Sequence, residues 1–169
     1  MNRRLALLLF TAAVAFAQNP AAETSVTIGG KKITIKYHAP SVRGRKMFGE
    51  GGVISKDPHY PVWRLGAEEA TALHTDAELK FGSATVPPGD YTLFIDTGAN
   101  PWQLVISKAT GEWGLAYDKS KDLVRVPLTV AKPAAPTETL KITLSNTGSN
   151  GKFQFAFENV VASANFTAK

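Results

Sequence analysis

The stretch HYPVWRLGAEEATAL, His59 to Leu73, sets an arginine beside a tryptophan with two glutamates close behind. Arginine offers a planar fork of N–H donors that holds a carboxylate or phosphate by two parallel hydrogen bonds. A turn at Leu65-Gly66-Ala67 would bring Arg64 and Glu69 together. In a functional reading, Arg64 holds an anionic or sugar ligand, Glu69 orients it and Trp63 gives a stacking face. In a structural reading, the two form a buried ion pair that pins a loop to the sheet. Losing one partner of such a pair costs about 3–5 kcal/mol, because a lone buried charge remains.

Other chemistries fit less well. Glu68 and Glu69 are adjacent, and adjacent strand residues face opposite ways. A glycosidase needs two carboxyl groups about 5–9 Å apart on one substrate. The histidines, His38, His59 and His74, show no H-x-x-x-H spacing. Asp57 and His59 share a loop, but zinc sites gather more convergent ligands than that. Hence no metal and no cofactor is implied. No G-x-S-x-G elbow, phosphate loop or G-x-G-x-x-G is present, which argues against common serine hydrolases and nucleotide enzymes. Trp63, Trp102, Trp113, Tyr60 and Tyr117 fall in or near loops and strand ends. Aromatic faces there stack on sugar rings, or else fill the core between sheets.

The elements that must position these groups follow an export signal. Arg3 and Arg4 precede an apolar run from Leu5 to Phe16, and Ala15-Phe16-Ala17 fits a signal-peptidase site. The run is shorter than the roughly 20 residues that span a bilayer. Residues 1–17 are therefore expected to be a signal peptide, and the protein to be periplasmic or secreted with no membrane span in the mature chain. Cutting there leaves 152 of 169 residues and lowers the net charge from +5 to +3. That length suits one domain. The basic spots lack alternating aromatics, so no nucleic acid is expected as a partner. The chain has no cysteine, so disulfides, thiolate nucleophiles and iron–sulfur clusters are excluded.

After a leader over 18–23, the domain expected over 24–169 reads as strands and turns. TSVTIGGKKITIKY alternates around Gly29-Gly30, a hairpin signal. Residues 38–61 form a long loop, of the kind that carries function. EATALHT and AELKFG split near Asp76; VPPGDYTLFID turns into a strand; WQLVIS and WGLAYD flank KATGE as a second hairpin. DLVRVPLTV, ETLKITLS, KFQFAFENVV and SANFTA complete the set. This spacing predicts an all-β fold, a single antiparallel β-sandwich of immunoglobulin-like or jelly-roll order.

SVRGRKMFG, VWRLGAEEAT, VPPGDYTLF, WGLAYD with KDLVRV, and FENV occur in this order. Together they resemble DUF2911, a bacterial exported family of unknown function, over about residues 36–168. The block from Trp63 to Thr71 is the most specific part. The family's usual asparagine is Glu68 here, and its usual late Trp-Glu is Phe157-Glu158. The resemblance implies an exported β-rich domain and no particular activity.

The leading expectation is a non-enzymatic binding or structural module for a glycan or small anion. Its site is placed where the 38–61 loop meets the Trp63–Thr71 block. Arg45, Arg64 and Glu69 supply charge, Trp63 and Tyr117 supply faces, and Thr71 completes the set. The alternatives are a hydrolase-type enzyme using Glu69 near Arg64, and a structural partner in an envelope assembly.

Overall fold

The computed structural model describes residues 18–111, 113 and 116–169; the expected signal peptide lies outside them. Alternating side chains dictate the architecture. β1 (Ala21–Ile28) and β2 (Lys31–His38) form the expected hairpin. Gly29 and Gly30 both take positive φ, 57° and 78°, as the tight hairpin turn with the right twist requires. The expected leader is shorter than read, because Ala21 already pairs with His38.

β3 (Val62–Trp63), β4 (Ala72–Thr75), β5 (Leu79–Phe81), β6 (Ala84–Val86), β7 (Gly89–Asp96) and β8 (Gln103–Ser107) follow. Then come β9 (Asp122–Pro127), β10 (Thr129–Ala131), β11 (Thr137–Thr147), β12 (Asn150–Glu158) and β13 (Val160–Ala168). The first sheet runs β1-β2-β4-β7-β8-β9, with β3 beside the far end of β7. The second runs β11-β12-β13-β5-β6, with β10 also on β13. All pairings are antiparallel. The two sheets pack face to face as an all-β sandwich, as the turn spacing predicts. β9 and β10 are one run in sequence, but Leu128 between them is buried and the chain changes sheets there.

The core lies between the inner faces. Ile33, Ile35, Leu93, Ile95, Leu104 and Ile106 come from the first sheet, Phe153, Phe155 and Phe157 from the second. A smaller apolar cluster of Val62, Phe94 and Val105 lies apart from it, with the Tyr117 ring packed against it.

One strand pairing differs from the sequence reading. β8 does not pair with the described residues of the WGLAYD segment across KATGE. It pairs with β9, from Gln103 opposite Pro127 to Ser107 opposite Asp122. Trp113 instead makes an isolated bridge with Glu69. A hairpin closes cheaply, but β9 offers a longer ladder and an arginine, Arg125, that reaches Asp96 on β7. Local turn signals lose to such non-local gains.

Candidate functional site

The long loop is ordered by many small tethers. Ser41 bridges Thr139, Val42 N–H donates to the Glu138 carbonyl at 2.8 Å, and Arg43 N–H donates to Glu138 Oε1 at 2.8 Å. Arg45 folds back on the loop, its Nε donating to the Val42 carbonyl and its Nη2 to the Ser41 carbonyl. Further on, Met47 N–H donates to Glu158 Oε1 at 2.9 Å. Phe48 then inserts its ring among Trp63, Trp102 and Phe157.

The Trp63–Thr71 block is fixed from the other side. β3 sends Trp63 inward, where its ring stacks on Phe157 at 6.0 Å and meets Phe155 edge-on. Leu65 is fully buried in the left-handed region (φ 51°). Thr71 Oγ1 donates to the Leu65 carbonyl at 2.9 Å, and Ala67 N–H donates to the His38 carbonyl. Gly66 sits inside this turn; a Cβ there would lie 3.0 Å from Thr71 Oγ1 and 3.1 Å from the His38 carbonyl.

Where the two segments meet, they leave a cleft of about 500 Å³. Arg43, Arg45, Lys56 and Arg64 line it, over a floor that includes Trp63 and Phe157. Asp57 is the one acid in the lining, and it and the acids beside the cleft accept hydrogen bonds from other groups. Asp57 Oδ1 accepts the His59 N–H, Glu158 accepts Met47, and Glu68 Oε1 accepts the Asn19 amide at 2.9 Å. That bond from Asn19 holds the Glu68 carboxyl below its usual range, with smaller help from the charges of His38 and Arg64. Among the described residues Arg64 makes no hydrogen bond or ion pair. Among the described residues the non-glycine ones at positive φ are Arg43, Leu65, Glu68 and Glu158. Each lines the cleft or lies next to a residue that does. Such strain collects at functional sites. It also explains why asparagine suits position 68, since asparagine tolerates this conformation better than glutamate.

The sequence-predicted residues thus divide. Arg45, Arg64 and Trp63 meet at the cleft. Trp63 is only 3% exposed, so it forms floor and not a stacking face. Thr71 is buried with its hydroxyl committed to Leu65 and faces no ligand. Glu69 does not pair with Arg64, because the turn at Leu65 to Glu68 sends it to the other side. There it borders a groove on the outer face of the first sheet.

Tyr117 belongs to a third place. Its hydroxyl donates to Asp122 Oδ2 at 2.9 Å and accepts from Arg125 Nη2 at 2.7 Å. Burial, with Asp122 adding, pushes its phenol up to about 12. Arg125 also bonds Asp96 Oδ2 at 2.6 Å and Asp122 Oδ2 through Nε at 2.9 Å. The sequence reading did not single out Arg125. Its only signal is a cation in DLVRVPLTV on the face opposite the inward Val124, Val126 and Leu128.

His74 lies across from Asp90 on β7, its Nδ1 at 2.7 Å from Asp90 Oδ1 and its Nε2 at 3.1 Å from Asp76 Oδ1. These bonds, Asp90 first, raise the imidazole above its ordinary 6.5. Since the folded value is raised, the stabilisation is fully present below pH 6.5 and is lost as pH rises through the folded value. An NMR titration is expected to place the His74 midpoint above 6.5, and Asp90→Asn to lower it. A midpoint unmoved by Asp90→Asn would remove Asp90 as the cause.

Residues 19–166 match the family model for DUF2911, described as a protein of unknown function. The chain belongs to the DUF2911 family. The match starts at Asn19, the residue that braces Glu68, and takes in both halves of the basic cleft. No curated protein and no solved structure matches this DUF2911 chain. Among its described residues no group of His, Asp and Glu could hold a metal ion.

Proposed function

We propose that this DUF2911 protein is an exported, non-enzymatic binding module whose basic cleft takes a small anion bearing a carboxylate or phosphate. The observation that carries this reading is the Arg64 guanidinium, which borders a cleft lined by further cations while the nearby acids are bonded elsewhere. A half-buried arginine without a protein acceptor keeps its fork for a ligand. The N-terminal apolar run of the sequence supports export.

The hydrolase alternative required Arg64 and Glu69 in one pocket, and the turn between them puts them in different depressions. The envelope-partner alternative calls for an exposed apolar patch or an unpaired edge strand in place of a pocket; the sheets do end in edge strands, but the basic cleft is present. Among the described residues Tyr60, Trp113 and Val130 are the exposed large hydrophobics; they come from separate segments, and single exposed ones are normal.

The test is a thermal-shift and calorimetry screen with citrate, sulfate, inorganic phosphate and hexagalacturonate. A ligand that binds only the folded state raises the melting temperature. At least one of these anions is expected to do so, less strongly at high salt. Arg64→Ala is expected to weaken that anion by about 10- to 100-fold, the worth of one to two charge-assisted hydrogen bonds. Its own melting temperature should stay near wild type, because no protein partner is lost. If no anion shifts the melting temperature and Arg64→Ala melts far lower, the arginine fixes the fold and the reading fails.

A further inference from the structure

The outer face of the first sheet carries a second feature of different chemistry. Two depressions, of about 800 and 470 Å³, share Lys36, Glu69, Ala70 and Ala72. They therefore make one groove that crosses β1, β2, β4 and β7. Alternation builds it: Ile33, Ile35, Leu73 and Leu93 go inward to the core, while Lys36, Ala72, His74 and Asp90 face out. Alanines at 70 and 72 keep the middle of the floor low.

At one end stands Trp113, 56% exposed. The other tryptophans are not so placed: Trp63 is buried and Trp102 half-buried. The backbone bridge to Glu69 holds Trp113 at the groove wall. Keeping an indole in water forgoes the gain of burying it, and such a ring beside polar groups suits a ligand with both apolar and hydroxylated surface. A pyranose has that surface. Its C–H face covers the indole, and its hydroxyls donate to carboxylates. Glu69 and Asp90 line the groove near Trp113, and Glu23 lies at the far end. Lys36 is the one lysine, 3.8 Å from Glu23. His74 pairs with Asp90 as Lys36 does with Glu23, so the groove carries little net charge and holds no attraction for a polyanion. An open trough over four strands also suits a chain better than a small molecule.

We infer that this groove, from Trp113 past Glu69 and Ala72 to Glu23, is a binding site for a neutral oligosaccharide, with Trp113 as the stacking face. It does not depend on the basic cleft, since Arg64 lines no part of it.

The experiment is calorimetry and tryptophan fluorescence on the purified protein with cellohexaose, maltohexaose, xylohexaose and mannohexaose. Hexagalacturonate serves as the charged comparison. At least one neutral hexasaccharide is expected to bind and to shift the emission to the blue. Trp113→Ala should weaken it at least 10-fold. Ala72→Arg, a change at an exposed position, should abolish it by filling the floor. Arg64→Ala should leave it within 2-fold, so a failure of the anion-cleft reading and a failure here give different patterns. The inference is overturned if none of the four sugars binds at millimolar concentration. It is also overturned if binding survives both Trp113→Ala and Ala72→Arg, or if it is lost in Arg64→Ala, which would move the sugar to the basic cleft.

Discussion

Trp63→Ala is expected to cost about 3–5 kcal/mol of stability, the loss that follows truncation of a large buried aromatic. Trp63 is 3% exposed, and three rings hold it. Phe157 stacks on it at an interplanar angle of 11°, and Phe48 and Phe155 meet it edge-on at 5.6 and 5.7 Å. Phe155 and Phe157 come from β12, Phe48 from the long loop, and Trp63 from β3, which hydrogen-bonds to β7. The indole thus joins both sheets and the cleft-forming loop at one point. Alanine would leave a cavity that backbone held by β7 cannot collapse to fill. Urea unfolding followed by circular dichroism measures the loss. A domain of this size should also melt about 10 °C lower or more. Trp63→Phe keeps a ring against Phe157 and is expected to lose less than half as much. An alanine variant within about 1 kcal/mol of wild type would show that the ring is no part of the core. Because Phe48 and Phe157 border or brace the cleft, anion affinity should fall with Trp63→Ala and largely return with Trp63→Phe.

The second large effect lies on the opposite side of the sheet, where Arg125→Ala is expected to destabilise by about 2–3 kcal/mol. Losing one partner of a fully buried pair costs about 3–5 kcal/mol. The Arg125 side chain is 25% exposed, so solvent screening reduces that figure. The guanidinium joins Asp96 on β7 to Asp122 on β9 across β8, and it also donates to Tyr117. Without it two half-buried carboxylates keep no cation, and Asp122 Oδ1 already has no hydrogen-bond partner among the described residues. A double-mutant cycle with Asp96→Asn isolates the pair. Coupling of about 1–2 kcal/mol is expected, within the usual range for residues in contact. Additive losses would show that Arg125 acts through packing alone. The cycle also tests the strand order, since the Arg125 contact to Asp96 exists only if β9 pairs with β8.

Several features could be read directly along the chain. Alternation with period two marked the strands and put Ile33, Ile35, Tyr91, Leu93 and Ile95 inside. Gly29-Gly30 announced the first hairpin. The basic, glycine-rich run after His38 and the Trp63–Thr71 block pointed to the place where Arg45 and Arg64 meet. These signals are local: a turn needs particular residues at particular φ, and a strand face follows from neighbours two positions away.

Other features had no local signal. Five positions separate Arg64 from Glu69, and residues so close could equally meet or diverge. The left-handed backbone at Leu65 and Glu68 decides that they diverge. Tyr117 was read as a face for ligand, but its hydroxyl is claimed by Arg125 and Asp122, which reach it only because β9 lies beside β8. Trp63 and Trp113 look alike in sequence, each a tryptophan near a turn. Phe48, Phe155 and Phe157 bury the first, and the bridge to Glu69 holds the second at the edge of the groove. By itself the sequence determined the strands, the first turn and the cluster of cations, since each depends on nearest neighbours. Which rings are covered, which charges are paired and which stay open to a ligand was decided by the tertiary structure. Those outcomes depend on contacts between residues far apart in the chain, and such contacts form only when the two sheets close on each other.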